Sequence, residues 1–360
     1  MYFWLWKKLD YKLLAVTLLI VAYGFLILYS ASAFSQEDSS AWIRQLIYLP
    51  VALIFLVIFS LIDYEFWGKK INLLYGFNLI LLILVLVAGH HAMGAQRWLG
   101  FGNFVFQPSE LAKLIMIIVV AKLLSDMPEE VNLRTVIKPA VLTFIPLILI
   151  LVQPDLGTAL VIAFIFMLML YMKGFNVFYI LAVSIAGIAA SPFVLKDYQK
   201  ARLFVFLNPD KDPMGAGWNL IQSKIAIGSG MLFGKGLFAS TQGHLNFVPE
   251  HCTDFIFTVL AEEFGLAGSL VLLILFALFL YRCIKTAVTA KDSFGSLLAV
   301  GITGMFFFHI IVNIGMTLGI MPITGIPLIF MSYGGSSLLT NMMAVGILLS
   351  ISMRREKLFI

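Results

Sequence analysis

The sequence predicts an all-α polytopic membrane protein of about ten transmembrane helices with one large extracytoplasmic loop. Three observations carry this expectation. Of 360 residues, 61% are hydrophobic and only 12% charged, where a soluble domain carries roughly a quarter charged. Mean hydropathy is +1.00. The apolar residues form unbroken runs, such as Leu13 to Tyr29 and Ile71 to Ala88, rather than amphipathic stripes. Runs of ~20 residues match the ~30 Å hydrocarbon core at a rise of ~1.5 Å per residue.

Taken in order, the spans fall at 12–33, 46–62, 70–88, 107–125, 137–153, 156–172, 175–194, 255–281, 295–320 and 325–351. The first ends in Ala31-Ser32-Ala33, which has the look of a signal-peptidase site. Its apolar stretch exceeds the ~7–15 residues of a signal core, so it reads as a retained span. The fourth opens with Pro108, suited to a first helical turn where its missing N–H is not needed. Spans five and six are separated only by a very short turn at Pro154-Asp155. Residues 195–254 form the one long loop, and within it Trp218 to Leu232 is apolar enough to lie in the interface plane as a short helix. No second domain, repeat or low-complexity linker interrupts a single transmembrane domain over 1–360.

Orientation follows from basic flanks. One side carries Lys7, Lys8, Lys12, Lys69, Lys70, Lys122, Arg134, Lys138, Lys173, Arg282, Lys285, Lys291, Arg354, Arg355 and Lys357. The short loops of the other carry only Arg44 and Arg97, with Lys113 just inside a helix start. Both termini are therefore expected in the cytoplasm. The long loop holds Lys196, Lys200, Arg202, Lys211, Lys224 and Lys235 although it falls outside. Long loops cross regardless of charge, yet the cluster suits a surface that meets anionic headgroups or a pyrophosphate. The net charge of +5 reflects basic flanks and does not point to nucleic acid. Cys252 and Cys283 fall on opposite sides and give no disulfide, and Cys252 is expected to be open to a membrane-impermeant thiol reagent.

Ionisable groups in or near spans are costly and are therefore site candidates. Glu110 and Lys113, three apart, share a helix face, and either pin the helix end or serve a site. Asp155 stands at a helix N-terminus, where a carboxylate caps free N–H groups. The richest stretch runs from Ser240 to Phe257. There Thr253 is the expected N-cap, and Asp254 falls in the first turn of the eighth span. The helix dipole favours its ionised form and partial burial opposes it, a balance suited to a general base. Glu262 and Glu263 lie some 12–14 Å deeper along the axis, positioned to satisfy polar groups inside the bundle. His244, His251, Cys252 and Asp254 are close in sequence but lack ligand spacing, so no metal ligand is assigned. Residues 230–236 (Gly-Met-Leu-Phe-Gly-Lys-Gly) are not a phosphate loop by spacing, although their glycines can supply tight turns near an anion.

Over nearly its whole length the chain resembles the SEDS family (shape, elongation, division and sporulation proteins). The resemblance rests on Gln107-Pro108-Ser109-Glu110 with Lys113, Gln153-Pro154-Asp155-Leu156-Gly157-Thr158, and Tyr198-Gln199 followed by Arg202-Leu203 and Phe206-Leu207-Asn208-Pro209. It continues through Gly228-Ser229-Gly230, Gly234-Lys235-Gly236, Pro249-Glu250, Thr253-Asp254-Phe255-Ile256-Phe257, Glu262-Glu263, Pro322-Ile323-Thr324-Gly325-Ile326-Pro327 and Ser332-Tyr333-Gly334-Gly335-Ser336. The stretch from Thr241 to Leu245 is closer to the elongation subtype than to the division subtype. One departure is Cys252, which stands where the family usually has His.

The resemblance implies a peptidoglycan glycosyltransferase that polymerises lipid II into a growing glycan strand at the outer face of the bacterial cytoplasmic membrane. It implies a class B penicillin-binding transpeptidase as partner, alongside membrane lipids. Asp254 is the implied catalytic base, and Glu110, Lys113, Arg202, Gln242, Lys235 and Asp155 the implied substrate-binding residues. Lys113 and Arg202 would steady the pyrophosphate and Glu110 would orient Lys113. No cofactor is assigned, and a divalent cation (Mg or Mn) is left open. A lipid II flippase is the alternative, since the deeper Glu262 and Glu263 resemble a transporter's buried charges.

Overall fold

The computed structural model describes residues 8–33, 39–92, 95–101, 104–128, 131–195, 197–209, 212–213, 215, 217–244 and 247–355. Lys7, Lys196, Lys211, Leu245, Asn246 and Lys357 lie outside the described residues, as do the side chains of His90, His91, Tyr198, Leu207 and His244.

Ten helices answer to the ten expected spans. They are α1 (Tyr11–Ala33), α2 (Ala41–Leu61), α4 (Ile71–Ala88), α5 (Pro108–Ser125), α6 (Leu133–Val152), α7 (Leu156–Met172), α8 (Val177–Val194), α12 (Ile256–Val288), α13 (Ser293–Thr317) and α14 (Gly335–Arg354). Short helices fill connections: α3 (Tyr64–Lys69), α9 (Asp197–Leu207), α10 (Trp218–Ser229) and α11 (Thr241–His244). Among the described residues, seven helices are long and apolar enough to cross a membrane by length and composition, and the others are shorter or more charged. This is an all-α polytopic membrane protein. The apolar windows of α13 and α14 are 72% and 89% buried, against 22% and 17% for α2 and α4. The bundle therefore has a protein-enclosed centre, which α5 shares, and a lipid-facing rim.

The sidedness expected from charge is internally consistent. Arg282 pairs with Asp10 and Arg354 with Asp63, while Tyr64 donates to Asp292. Each joins two of the flanks expected on the same side. At the opposite end Gln45 donates to the Ser332 carbonyl, and Ser336 accepts from the Gln107 N–H.

Three features depart from the sequence expectation. A three-stranded antiparallel sheet, β1 (His90–Ala92), β2 (Ala95–Phe101) and β3 (Phe104–Phe106), lies between α4 and α5. Its Trp, Phe and Val content favours strands, but its length is too short to signal a span. The tenth span does not begin at 325: α14 starts at Gly335, because Gly319 and Gly325 take positive φ (72° and 71°) and Pro322 and Pro327 interrupt the segment before it. The eighth begins at Ile256 with Phe255 as N-cap. Thr253 therefore caps nothing, and Asp254 precedes the first turn. The cause is local, since the N–H groups of Thr253 and Phe255 both donate to the Glu250 carbonyl, at 3.0 and 3.1 Å, closing a separate turn. The α10 helix falls where a short helix was expected, and it packs on the bundle. Leu220, Ser223 and Ala226 are buried, and the Ser223 hydroxyl donates to the Thr317 carbonyl at 2.7 Å.

The glycines at 230–236 do make tight turns, with Gly234 and Gly236 at φ 77° and 103°. Their partner is α12, which breaks at Gly265 (φ 64°, ψ −157°). Across that break the carbonyls of Met231 and Leu232 accept from Leu266 and Ala267 N–H, and the N–H groups of Lys235 and Gly236 donate to the carbonyls of Glu262 and Glu263. Backbone groups that a broken helix would leave bare at membrane depth are thereby paired.

Candidate active site

The expected site residues divide into three groups. Asp155 accepts at Oδ2 from Gln107, Ser109 and the Thr158 hydroxyl, and at Oδ1 from Thr158 N–H. It is buried and stitches the start of α7 to the start of α5. Lys113 is also buried, at 1% exposure. Its ammonium donates to Glu110 Oε1 at 2.7 Å and to His309 Nε2 at 2.9 Å. An ammonium can only donate, so the ring hydrogen of His309 sits on Nδ1, which donates to the Pro327 carbonyl at 2.9 Å. Glu110, Lys113 and His309 thus tie α5 to α13 and to the irregular segment before α14.

The second group stands apart from these. Lys235 pairs with Glu262 Oε1 at 2.6 Å and donates to the Thr241 hydroxyl at 2.9 Å. Glu262 also accepts from Ser240, Thr241 and the Gln242 N–H. Glu263 accepts from the Ser30 hydroxyl. Lys235, Gln242 and the two deep glutamates therefore clamp the 235–242 segment onto α12 and α1.

The third group surrounds Asp254, a half-buried residue. Gly325, at φ 71°, brings its backbone so close that a Cβ there would stand 3.4 Å from Asp254 Oδ2 and 3.8 Å from Arg202 Nη1. Beside them opens a small cavity lined by Arg97, Arg202, Gln199, Pro154 and Thr324 among others. Arg97 is held on β2 by donation to the carbonyls of Gln153 and Pro154. Burial and the nearby Glu250 push the Asp254 carboxyl up to about 7, against the pull of Arg202 and Arg97. The result is a carboxyl poised near neutrality with two guanidinium groups alongside. A base can take a hydroxyl proton there while fixed cations stabilise an anionic leaving group.

Sequence reasoning missed Arg97 as a site residue and passed over His309 and Asn313. The Asn313 amide donates to the carbonyls of Asp254 and Ile326, both at 2.8 Å. A His inside an apolar span was a signal that could have been read. Arg97 looked like one of two stray outer basics, and only the β-sheet, which aims it back at the Gln153-Pro154 turn, reveals it. Cys252 and His251 are buried, so Cys252 is not the reagent-accessible thiol expected. His251 instead packs against the carbonyls of Val248 and Ala31. Among the described residues no cluster of three or more His, Cys, Asp or Glu converges to hold a metal ion.

Comparison with known proteins places this geometry in context. The pattern of the cell cycle protein family that groups FtsW, RodA and SpoVE matches residues 11–357. The chain is 39% identical to the peptidoglycan glycosyltransferase MrdB of Escherichia coli, covering 99% of this chain and 96% of that one. It is 35% identical to the peptidoglycan glycosyltransferase RodA of Treponema pallidum, covering 96% and 98%. It is also 38% identical to a probable peptidoglycan glycosyltransferase FtsW of Trichlorobacter lovleyi, covering 95% and 93%. Among solved structures, a chain from a peptidoglycan synthase complex superposes with a TM-score of 0.82 at 32% identity, over 97% of this chain and 99% of that one. The rod shape determining protein RodA of Thermus thermophilus does so with a TM-score of 0.74 at 31% identity, over 97% and 98%.

Proposed function

The chain belongs to the SEDS family, and from that premise we propose that it is a peptidoglycan glycosyltransferase polymerising lipid II at the outer face of the cytoplasmic membrane during cell elongation. The observation that carries the mechanism is Asp254. Its carboxyl is held near neutrality at an end of the bundle, with Arg202 and Arg97 beside it. In the proposed step Asp254 takes the proton of the acceptor sugar's 4-hydroxyl. The oxygen attacks the anomeric carbon of the lipid-linked donor with inversion, and the bond to the pyrophosphate breaks. Arg202, with Arg97, steadies the charge that develops on that leaving group.

The sequence-based assignment of Lys113 to the pyrophosphate competes with its pairing to Glu110 and His309. The distances support the pairing, which makes Glu110 and Lys113 a buried brace of the site. Lys235 and Gln242 likewise support the wall through Glu262. Basic flanks favour cytoplasmic termini and an outward-facing Asp254. The elongation role rests on the Thr241 to Leu245 stretch, since RodA-type and FtsW-type relatives are equally similar. A class B penicillin-binding protein as partner is supported by the related chain of a peptidoglycan synthase complex. The engagement of Glu262 and Glu263 with Lys235, Ser240, Thr241 and Ser30 supports the enzyme reading over the flippase alternative.

The test is purified protein in liposomes given lipid II on the Asp254-facing side. Glycan strands and released undecaprenyl pyrophosphate are expected. Movement of lipid II across the bilayer without polymer would replace this reading with transport.

A further inference from the structure

The turn that carries Asp254 offers three consecutive carbonyls, and each is held by a donor from outside the turn. Cys252 accepts from the Tyr333 N–H at 2.9 Å, Thr253 from the Ser332 hydroxyl at 2.6 Å, and Asp254 from the Asn313 amide at 2.8 Å. Asn313 lies on α13 at 0% exposure. Its second amide hydrogen goes to the Ile326 carbonyl, also at 2.8 Å. Ile326 follows Gly325, whose backbone lies against the Asp254 carboxylate. One side chain therefore fixes both the residue bearing the base and the segment facing it.

Two further facts argue against simple space-filling. Exchanging the amide nitrogen and oxygen would set an oxygen against two carbonyl oxygens, so the hydrogen-bond network dictates this orientation. In that orientation Oδ1 is buried with no partner, a cost that a leucine of similar volume would not carry.

We propose that Asn313 is a positioning residue for glycosyl transfer, locking the Asp254 backbone to the 325–327 segment so that the carboxylate stands preformed against the acceptor hydroxyl. The inference rests on the reading of Asp254 as base. Displacing a reacting group by ~1 Å costs about a hundredfold in rate. The charged groups facing Asp254 are Glu250 on its own turn, Arg202 on α9, Arg97 on β2 and Asp155 at the start of α7. Because burial is the largest influence raising this carboxyl, a loosened turn that admits water lowers it.

The experiment measures kcat, KM and the pH profile of lipid II polymerisation for wild type, Asn313→Leu and Asn313→Ser. Wild type should lose activity as pH falls through about 7. Asn313→Leu should lose about a hundredfold in kcat with KM little changed, and its acidic limb should move to lower pH. Asn313→Ser, small enough to fit but one bond too short to reach the carbonyls that the amide holds at 2.8 Å, should show the same kcat loss and the same shift of the acidic limb, and it carries the test if the leucine variant does not fold. Folded variants whose activity falls only with the folded fraction, and whose acidic limb stays in place, would overturn the positioning role alone. A wild type with no acidic limb, or an active Asp254→Asn, would overturn the base assignment and this inference with it.

Discussion

Lys113→Met is the most informative single perturbation outside Asp254. In the folded protein the Lys113 ammonium lies 2.7 Å from Glu110 Oε1 and 2.9 Å from His309 Nε2, with its side chain 1% exposed. Glu110 Oε2 already has no partner, so removing the ammonium leaves the whole carboxylate buried and uncompensated. Stranding one member of a buried pair costs about 3–5 kcal/mol. Adding Glu110→Gln removes the stranded charge and leaves His309 Nε2 without its donor, a residual cost of about 1–3 kcal/mol. The double variant should therefore recover part of the stability lost by the single one. If the ammonium serves as a brace, polymer yield should recover in step. The assay is chemical denaturation in detergent alongside gel analysis of glycan product, for wild type, both single variants and the double. A double variant that regains stability yet makes no polymer would refute the brace and return Lys113 to the pyrophosphate.

Further predictions concern the rest of the fold. Asp254 titrates higher in the folded protein, at about 7, than its ordinary 3.8. Its neutral form is thus favoured by folding below pH 4, and that contribution fades as pH rises to about 7; Asp254→Asn should flatten this part of the stability profile, and an unchanged slope would refute the titration. Gly265→Ala should prevent stable folding, because a Cβ would stand 2.4 Å from Gly234 N at a positive φ; near-normal yield of folded, detergent-stable protein would contradict this. Cys252→His should cost about 1–3 kcal/mol by overpacking a fully buried position, read by denaturation, and an equally stable variant would show unexpected room there. Arg202→Ala should raise KM for lipid II with folding intact, and an unchanged KM would remove Arg202 from the leaving-group site.

The all-α polytopic fold was legible because apolar run length is a strong one-dimensional signal. The landmarks Asp254, Asp155 and Glu110 were legible because charges at span ends are rare. What escaped the sequence depends on contacts between distant segments. The start of α12 moved past Asp254 because Glu250, Ser332 and Asn313 hold the preceding turn, and no local capping pattern shows that. Lys235 looked like a free outer cation until Glu262 met it across 27 positions of chain. Arg97 gained its place from a β-sheet too short to register. The irregular stretch before α14 was read as helix because its apolar composition outweighed the punctuation of Gly325 and Pro327.

The central claim is that Asp254 performs the proton transfer of glycan polymerisation. Its most direct test compares wild type and Asp254→Asn, purified identically, for glycan made from lipid II and for thermal unfolding. The account predicts a variant that is inserted and folded, with no polymer, beside a wild type that makes long strands. Polymer from a folded Asp254→Asn at a yield near wild type would contradict it.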